Sequence, residues 1–231
     1  MEGAKSPSPA PGRRDRNRQR MASRLTATAF ELFEAQGYEA VTMEQIAAKS
    51  DVAKATLYNY FPVKEALIAH RFREEIAEGM LAIATDLAAR KTFASRMQFL
   101  LRASAAWHTT KRAYLPYYLR FLNNVASYGD QKPQPDTYDS GSRHILAEMF
   151  RAARKSGEIK SALSPEQLAW SFEYLLLSAV TAWLYQPGTD LAQGFLSAFE
   201  LLLNGIGTSK SRRLGDQGRA SGGKVDRGRP K

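Results

Sequence analysis

Cysteine is absent from the 231 residues, which excludes disulfides, a thiolate metal site and a cysteine nucleophile. Histidine is almost as scarce, with three in the chain and none a helical turn from another, so neither a metal nor a cofactor is expected. Long apolar runs are missing too. The longest, residues 175–185, already holds Ser178 and Thr181 and stops well short of the roughly 20 residues that cross a bilayer. The basic residues near the start are not followed by an apolar signal core, so a soluble, cytoplasmic protein without a membrane partner is expected. No nucleophile-elbow pattern and no glycine-rich phosphate loop occurs. An enzyme is therefore not expected.

What is present is charge, unevenly placed. The net charge is +10, with 33 basic against 23 acidic residues. Residues 1–20 contribute +4, mainly through Arg13, Arg14, Arg16, Arg18 and Arg20, and residues 208–231 contribute +6. The stretch between is neutral overall, so a polyanion can be met at the ends without a uniformly basic surface. Tails of this kind also serve solubility alone, and composition does not separate the two roles.

Apolar residues recur at helical spacing between the two ends, and no alternating run argues for a strand. The fold class read from this is all-α. A first helix is expected over 18–35, with Leu25, Ala29, Leu32 and Phe33 on its buried face and Gly37 just past its end. Thr42 and Gln45 form a capping-box pattern that opens a short helix, and a second short apolar stretch follows over 52–60. Pro62 interrupts, and Lys64 opens a long helix to about residue 89. Further helices are expected at 93–109, 113–124, 138–155, 165–186 and 190–204, with a loop over 126–137. Ser164, Pro165 and Gln167 mark one start clearly.

Two short helices with a tight turn over 42–60 form a helix-turn-helix pattern, whose second helix suits the width of the major groove. Ile46, Ala47, Val52 and Leu57 have the spacing of a shared core. Lys54, Ala55, Thr56, Tyr58, Asn59 and Tyr60 are left for the outer face. Many helical hairpins share this outline, so the pattern alone does not assign DNA reading.

The residues go further than the outline. Val41-Thr42-Met43-Glu44-Gln45-Ile46-Ala47-Ala48, Thr56-Leu57-Tyr58-Asn59-Tyr60-Phe61-Pro62 and Lys64-Glu65-Ala66-Leu67, preceded by Ala29-Phe30-Glu31-Leu32-Phe33 and Gly37-Tyr38, resemble the TetR family of transcriptional regulators. The detailed match covers residues 24–67; beyond it the helices agree in number, length and order. Composition makes residues 1–17 a disordered basic arm and residues 208–231 a disordered basic tail; the resemblance implies a helix-turn-helix DNA-binding domain over 18–63 and a ligand-binding and dimerisation domain over 64–207. It implies that Thr42, Tyr60 and Lys64 meet phosphates, while Lys54, Ala55, Thr56 and Tyr58 lie near base edges. Glu44 stands where some members contact a base, and a carboxylate there can accept only from cytosine or must turn away. Leu57 and Phe61 belong to the core.

Three positions depart from the family pattern. Asp51 occupies the usual turn glycine and tolerates the left-handed conformation. Ala53 replaces a hydroxyl cap, at a cost of about 1 kcal/mol. Ala55 replaces a common glycine.

The helix at 165–186 is apolar around nearly its whole circumference, and the helix at 190–204 shares that character. Both point to a homodimer formed through these helices, which would present two recognition helices to a near-palindromic operator of double-stranded DNA. Trp107, His108, Tyr114, Tyr117, Tyr118, Phe121 and Tyr128 form an aromatic-rich stretch. The resemblance places an effector pocket there, with His144 as a further contact, although ordinary core packing accounts for any one of these rings equally well. The function expected is a regulator, in the repressor sense, released from its operator by a small-molecule effector. The alternatives are a non-specific or architectural DNA binder driven by its basic tails, and an interaction protein that keeps the helix-turn-helix only as structure.

Overall fold

The computed structural model describes residues 12–124 and 141–205. The expected basic tail over 208–231, the loop over 126–137, Tyr128 and the first eleven residues of the arm lie outside the described residues. Within them the chain forms nine helices and no strand: α1 (Arg13–Gln36), α2 (Met43–Lys49), α3 (Lys54–Tyr60), α4 (Lys64–Ala88), α5 (Phe93–Thr110), α6 (Leu115–Asn124), α7 (Ser142–Lys155), α8 (Pro165–Tyr185) and α9 (Leu191–Asn204).

The first helix begins five residues earlier than its apolar periodicity predicts. Gly12 is extended and donates its backbone N–H to the Asp15 carboxylate at 3.0 Å. An acid in the first turn also suits the positive end of the helix dipole. Arg13, Arg14 and Arg16 are thereby helical, which corrects the expectation of a disordered arm reaching to residue 17. Periodicity missed this turn because it buries nothing: the core face starts only at Ala22 and Leu25.

Three short segments fix the N-terminal unit. Thr42 accepts from Gln45 N at 3.2 Å, and the Gln45 side chain accepts from Thr42 N at 2.7 Å, closing the capping box. At the other end of α2, Asp51 adopts φ +52, alone in that conformation among the described non-glycine residues. Val52 N bonds Ala47 O and Asp51 N bonds Ala48 O, both at 3.1 Å. Those paired bonds are a Schellman closure, with aspartate where glycine is usual. Leu25, Ile46, Leu57 and Phe61 are essentially inaccessible between the helices. Burial of such a side chain contributes about 1.5–3 kcal/mol, enough in sum to hold two seven-residue helices that would melt alone.

The C-terminal bundle is centred on four phenylalanines. Phe93 of α5 meets Phe150 of α7 at 5.6 Å and Phe199 of α9 at 5.7 Å. Phe172 of α8 meets the same two rings at 6.1 and 5.9 Å. α8 packs against α7 on one side and α9 on the other, and α9 also packs on α5. Gly194 lets α9 approach α8, since a Cβ there would stand 3.3 Å from the Ala179 Cβ. α4 joins the halves: its first turns, Ala66 to Phe72, are buried, and it packs on both α1 and α6.

Candidate nucleic-acid interface and effector cavity

On the helix-turn-helix, Lys54, Ala55, Tyr58 and Asn59 are exposed along α3, with Thr56 and Tyr60 half-buried beside them. Ala53 supplies no side-chain cap, as its identity predicts. Tyr60 carries the Arg18 guanidinium of α1 over its ring at 5.0 Å, so α1 and the end of α3 share one edge. Glu44 and Lys54 form an ion pair across the two short helices. That pair holds the Glu44 carboxyl below its ordinary range and raises the Lys54 ammonium, in each case chiefly through their mutual hydrogen bond.

Lys64 is placed differently from its expected role as a phosphate contact. Its Nζ donates to the carbonyl oxygens of Tyr38 at 2.7 Å and Val41 at 2.8 Å, and it lies over the Tyr38 ring at 4.1 Å. Burial lowers its pKa. The side chain turns inward and ties the α1–α2 connection to the start of α4.

The aromatic stretch divides into two groups. Tyr114 packs on Phe30 at 5.1 Å, and Tyr117 stacks on Tyr38 at 3.9 Å. Arg120 on the same helix pairs with Glu65 of α4. These residues form the junction between the two halves, not a pocket. Phe121 is fully buried core, and His144 is exposed on α7. Four of the seven expected pocket residues are thus placed elsewhere: Tyr114 and Tyr117 at the junction, Phe121 in the core and His144 exposed on α7.

Trp107, His108 and Tyr118 do line a cavity of about 720 Å³. Its walls come from α4 (Glu75, Ile76, Gly79, Met80, Ile83), α5 (Leu100, Ser104), α6 (Leu122, Asn123), α7 (Arg143, Ile145, Leu146), α8 (Glu173, Tyr174, Leu177, Val180) and α9 (Phe195). Volume and apolar lining suit a drug-sized ligand.

The charged groups in these walls are satisfied from within. Glu75 accepts from Arg71 Nε at 2.9 Å, Lys111 Nζ at 2.8 Å and Trp107 Nε1 at 3.0 Å. Glu173 accepts from Ser142 at 2.8 Å and from Arg143 at 2.6 and 2.9 Å, with the guanidinium stacked 4.6 Å over Trp170. His108 Nδ1 lies 2.8 Å from Ser104 O, and burial lowers the pKa of its ring. Among the described residues no group of three or more candidate ligands could hold a metal. Sequence reasoning missed Glu75, Arg143 and Glu173. The Arg71–Glu75 spacing was visible as an i,i+4 pair, but nothing local signals that Trp107 and Lys111 close on the same carboxylate.

Among the described residues no helix is long and apolar enough to cross a membrane. Residues 25–70 match the model of the bacterial regulatory proteins, tetR family. MftR of Mycobacterium tuberculosis, a proposed transcriptional regulator of mycofactocin biosynthesis, is 25% identical over 203 residues, covering 86% of this chain and 97% of that one. The HTH-type transcriptional regulator TcmR of Streptomyces glaucescens is 46% identical over 55 residues, 24% of each chain. Among solved structures, Thermus thermophilus FadR, a TetR-family repressor in complex with lauroyl-CoA, is similar with a TM-score of 0.70 at 23% identity, over 81% of this chain and 95% of that one. Bacillus subtilis FadR in complex with stearoyl-CoA is similar with a TM-score of 0.56 at 21% identity, over 80% and 99%. The curated relatives are regulators and not enzymes, and the matched helix-turn-helix is the part of the chain that reads as a DNA-binding device. The N-terminal helix-turn-helix unit of this chain, residues 25–70, is that of the tetR family of bacterial regulatory proteins.

Proposed function

We propose that the protein is a homodimeric repressor that binds a near-palindromic operator and leaves it when a small molecule fills the cavity. The observation that carries the reading is the cavity's walls: they include α4 and α6, the two helices that also hold the N-terminal unit. A ligand wedged against Ile76, Met80 and Ile83 on α4 or Leu122 on α6 acts on the same rods that carry Lys64 and Tyr117 at their first turns. Separation of two recognition helices then follows from a change in their tilt. The ligand must favour the DNA-incompetent arrangement, since equal affinity for both moves nothing; a tenfold loss of operator affinity needs about 1.4 kcal/mol of preference.

In this reading α3 enters the major groove, with Lys54, Ala55, Thr56 and Tyr58 near base edges and Thr42 and Tyr60 at flanking phosphates. Lys64 acts as a brace. The dimer forms through α8 and α9. Five of the eight large hydrophobics exposed among the described residues, Trp170, Tyr174, Tyr185, Leu201 and Leu203, lie on those two helices, and covering them needs a partner surface. Acyl-CoA, which both FadR proteins hold, is a comparison ligand for the cavity.

Selection of the full-length protein on a randomised duplex library tests the DNA side. Enrichment of one two-fold symmetric sequence, bound by two protomers, is the expected result. Binding without enrichment at any salt concentration would return the basic tails as the DNA-binding device. Titration of acyl-CoA against the selected operator then tests release.

A further inference from the structure

We infer that the cavity takes an uncharged, largely apolar ligand bearing one hydrogen-bond donor, a phenol or comparable hydroxylated hydrophobe, which docks its donor on Nε2 of His108. The inference rests on the cavity being the effector site and names the chemistry that site accepts.

The geometry of one ring fixes the polarity of the contact. Nδ1 of His108 lies 2.8 Å from the carbonyl oxygen of Ser104, one turn back on α5. A carbonyl only accepts, so Nδ1 carries the proton and Nε2 is left with its lone pair. Burial favours that neutral form. Among the described residues no group hydrogen-bonds Nε2. His108 lines the cavity between Trp107, whose ring stands edge-on at 4.9 Å, and Phe195 at 5.5 Å. An acceptor between aromatic walls suits a donor carried on a flat ring.

The remaining polar lining argues against an ionised head group. A carboxylate ligand would need a cation to spare, yet Arg143 is committed to Glu173 through Nε and one terminal nitrogen. A cationic ligand would need a carboxylate to spare, yet Glu75 already takes two cations and an indole N–H. Drawing either partner away leaves the other buried without compensation. Ile76, Met80, Ile83, Leu100 and Leu177 offer the rest of the ligand an apolar wall.

Calorimetric titration of the full-length protein with four probes tests this: 4-hexylphenol, its methyl ether 4-hexylanisole, 4-hexylbenzoate and lauroyl-CoA. The phenol should bind at least about tenfold more tightly than the ether and the benzoate, the range expected when a buried acceptor gains or loses its donor. His108→Phe keeps an aromatic ring between Trp107 and Phe195. It should bring the phenol down to the level of the ether while leaving the ether unchanged. Should that variant lose both probes by misfolding, the ranking on the unaltered protein decides alone. Equal binding of phenol and ether, or tighter binding of benzoate or lauroyl-CoA, overturns the inference and leaves the cavity as effector site. If none of the four binds, the cavity is not a ligand site, and both readings fall.

Discussion

Replacing Lys64 by methionine separates two incompatible roles for the same ammonium group. In the structure it makes charge-assisted hydrogen bonds to two backbone carbonyls, at 2.7 and 2.8 Å, and lies over an aromatic ring. Bonds to a charged donor contribute about 1.5–3 kcal/mol each, and the ring adds up to about 1 kcal/mol at a partly exposed site. Against this stands the cost of half-burying the ammonium, seen in its lowered pKa, which the methionine side chain avoids. A net loss of about 3 kcal/mol is expected for Lys64→Met. For a chain of this length that corresponds to about 6–12 °C in melting temperature, measured by circular dichroism at fixed protomer concentration. Operator binding, followed well below the melting transition, should keep its salt dependence, because no phosphate contact has been removed. A phosphate-binding lysine would behave in the opposite way: an unchanged melting temperature and a log K against log salt slope shallower by about 0.9 per lost contact. That second pattern would refute the brace.

Tyr117→Ala should leave ligand affinity unchanged, since the ring is outside the cavity, yet weaken ligand-induced operator release severalfold by removing the stack on Tyr38; full release in the variant would show that α6 is not the route. Leu201→Glu places a charge on an exposed position of α9 and should convert the dimer to a folded monomer in sedimentation velocity, whereas an intact dimer would move the interface elsewhere. Protonation of His108 favours the unfolded chain, because burial depresses the folded-state pKa below the ordinary value of 6.5. Stability from this group is therefore complete above about pH 6.5 and lost as the pH falls towards the folded value. The drop in melting temperature between about pH 7.5 and about pH 5.5 should be smaller in His108→Phe than in the unaltered protein, and an equal drop would place His108 in contact with water.

Local chemistry was legible from the residues alone wherever one short segment contained both partners. The Thr42–Gln45 and Ser164–Gln167 boxes stand as their spacing predicts, and the left-handed Asp51 and the uncapped Ala53 as the family resemblance implies. What the residues alone leave open is which face of α6 each ring takes. Tyr117 and Tyr118 are adjacent in sequence and about 100° apart on a helix, so one stacks on Tyr38 while the other meets Phe72 beside the cavity. Only the packing of α6 against two neighbours at once decides which ring goes where. The inward position of Lys64 was not legible for a related reason: its partners are main-chain carbonyls 26 and 23 residues away, and carbonyls carry no side-chain signature.

The ion pair between Glu44 and Lys54 leaves the reading surface with almost no charge of its own. In the proposed reading, attraction to the duplex then comes from the arginines at the start of α1, so added salt loosens right and wrong sequences alike and barely alters the choice between them. Choice falls to the pair itself. It opens without loss only where the groove replaces both partners at once, giving the carboxylate a donor and the ammonium an acceptor side by side. A G·C pair does so through the amino group of cytosine, the usual partner of a carboxylate, and through O6 and N7 of guanine for the ammonium. Each half of the selected operator should therefore hold one G·C pair beneath the seam of the two helices, intolerant of replacement, and Glu44→Gln should relax that position alone.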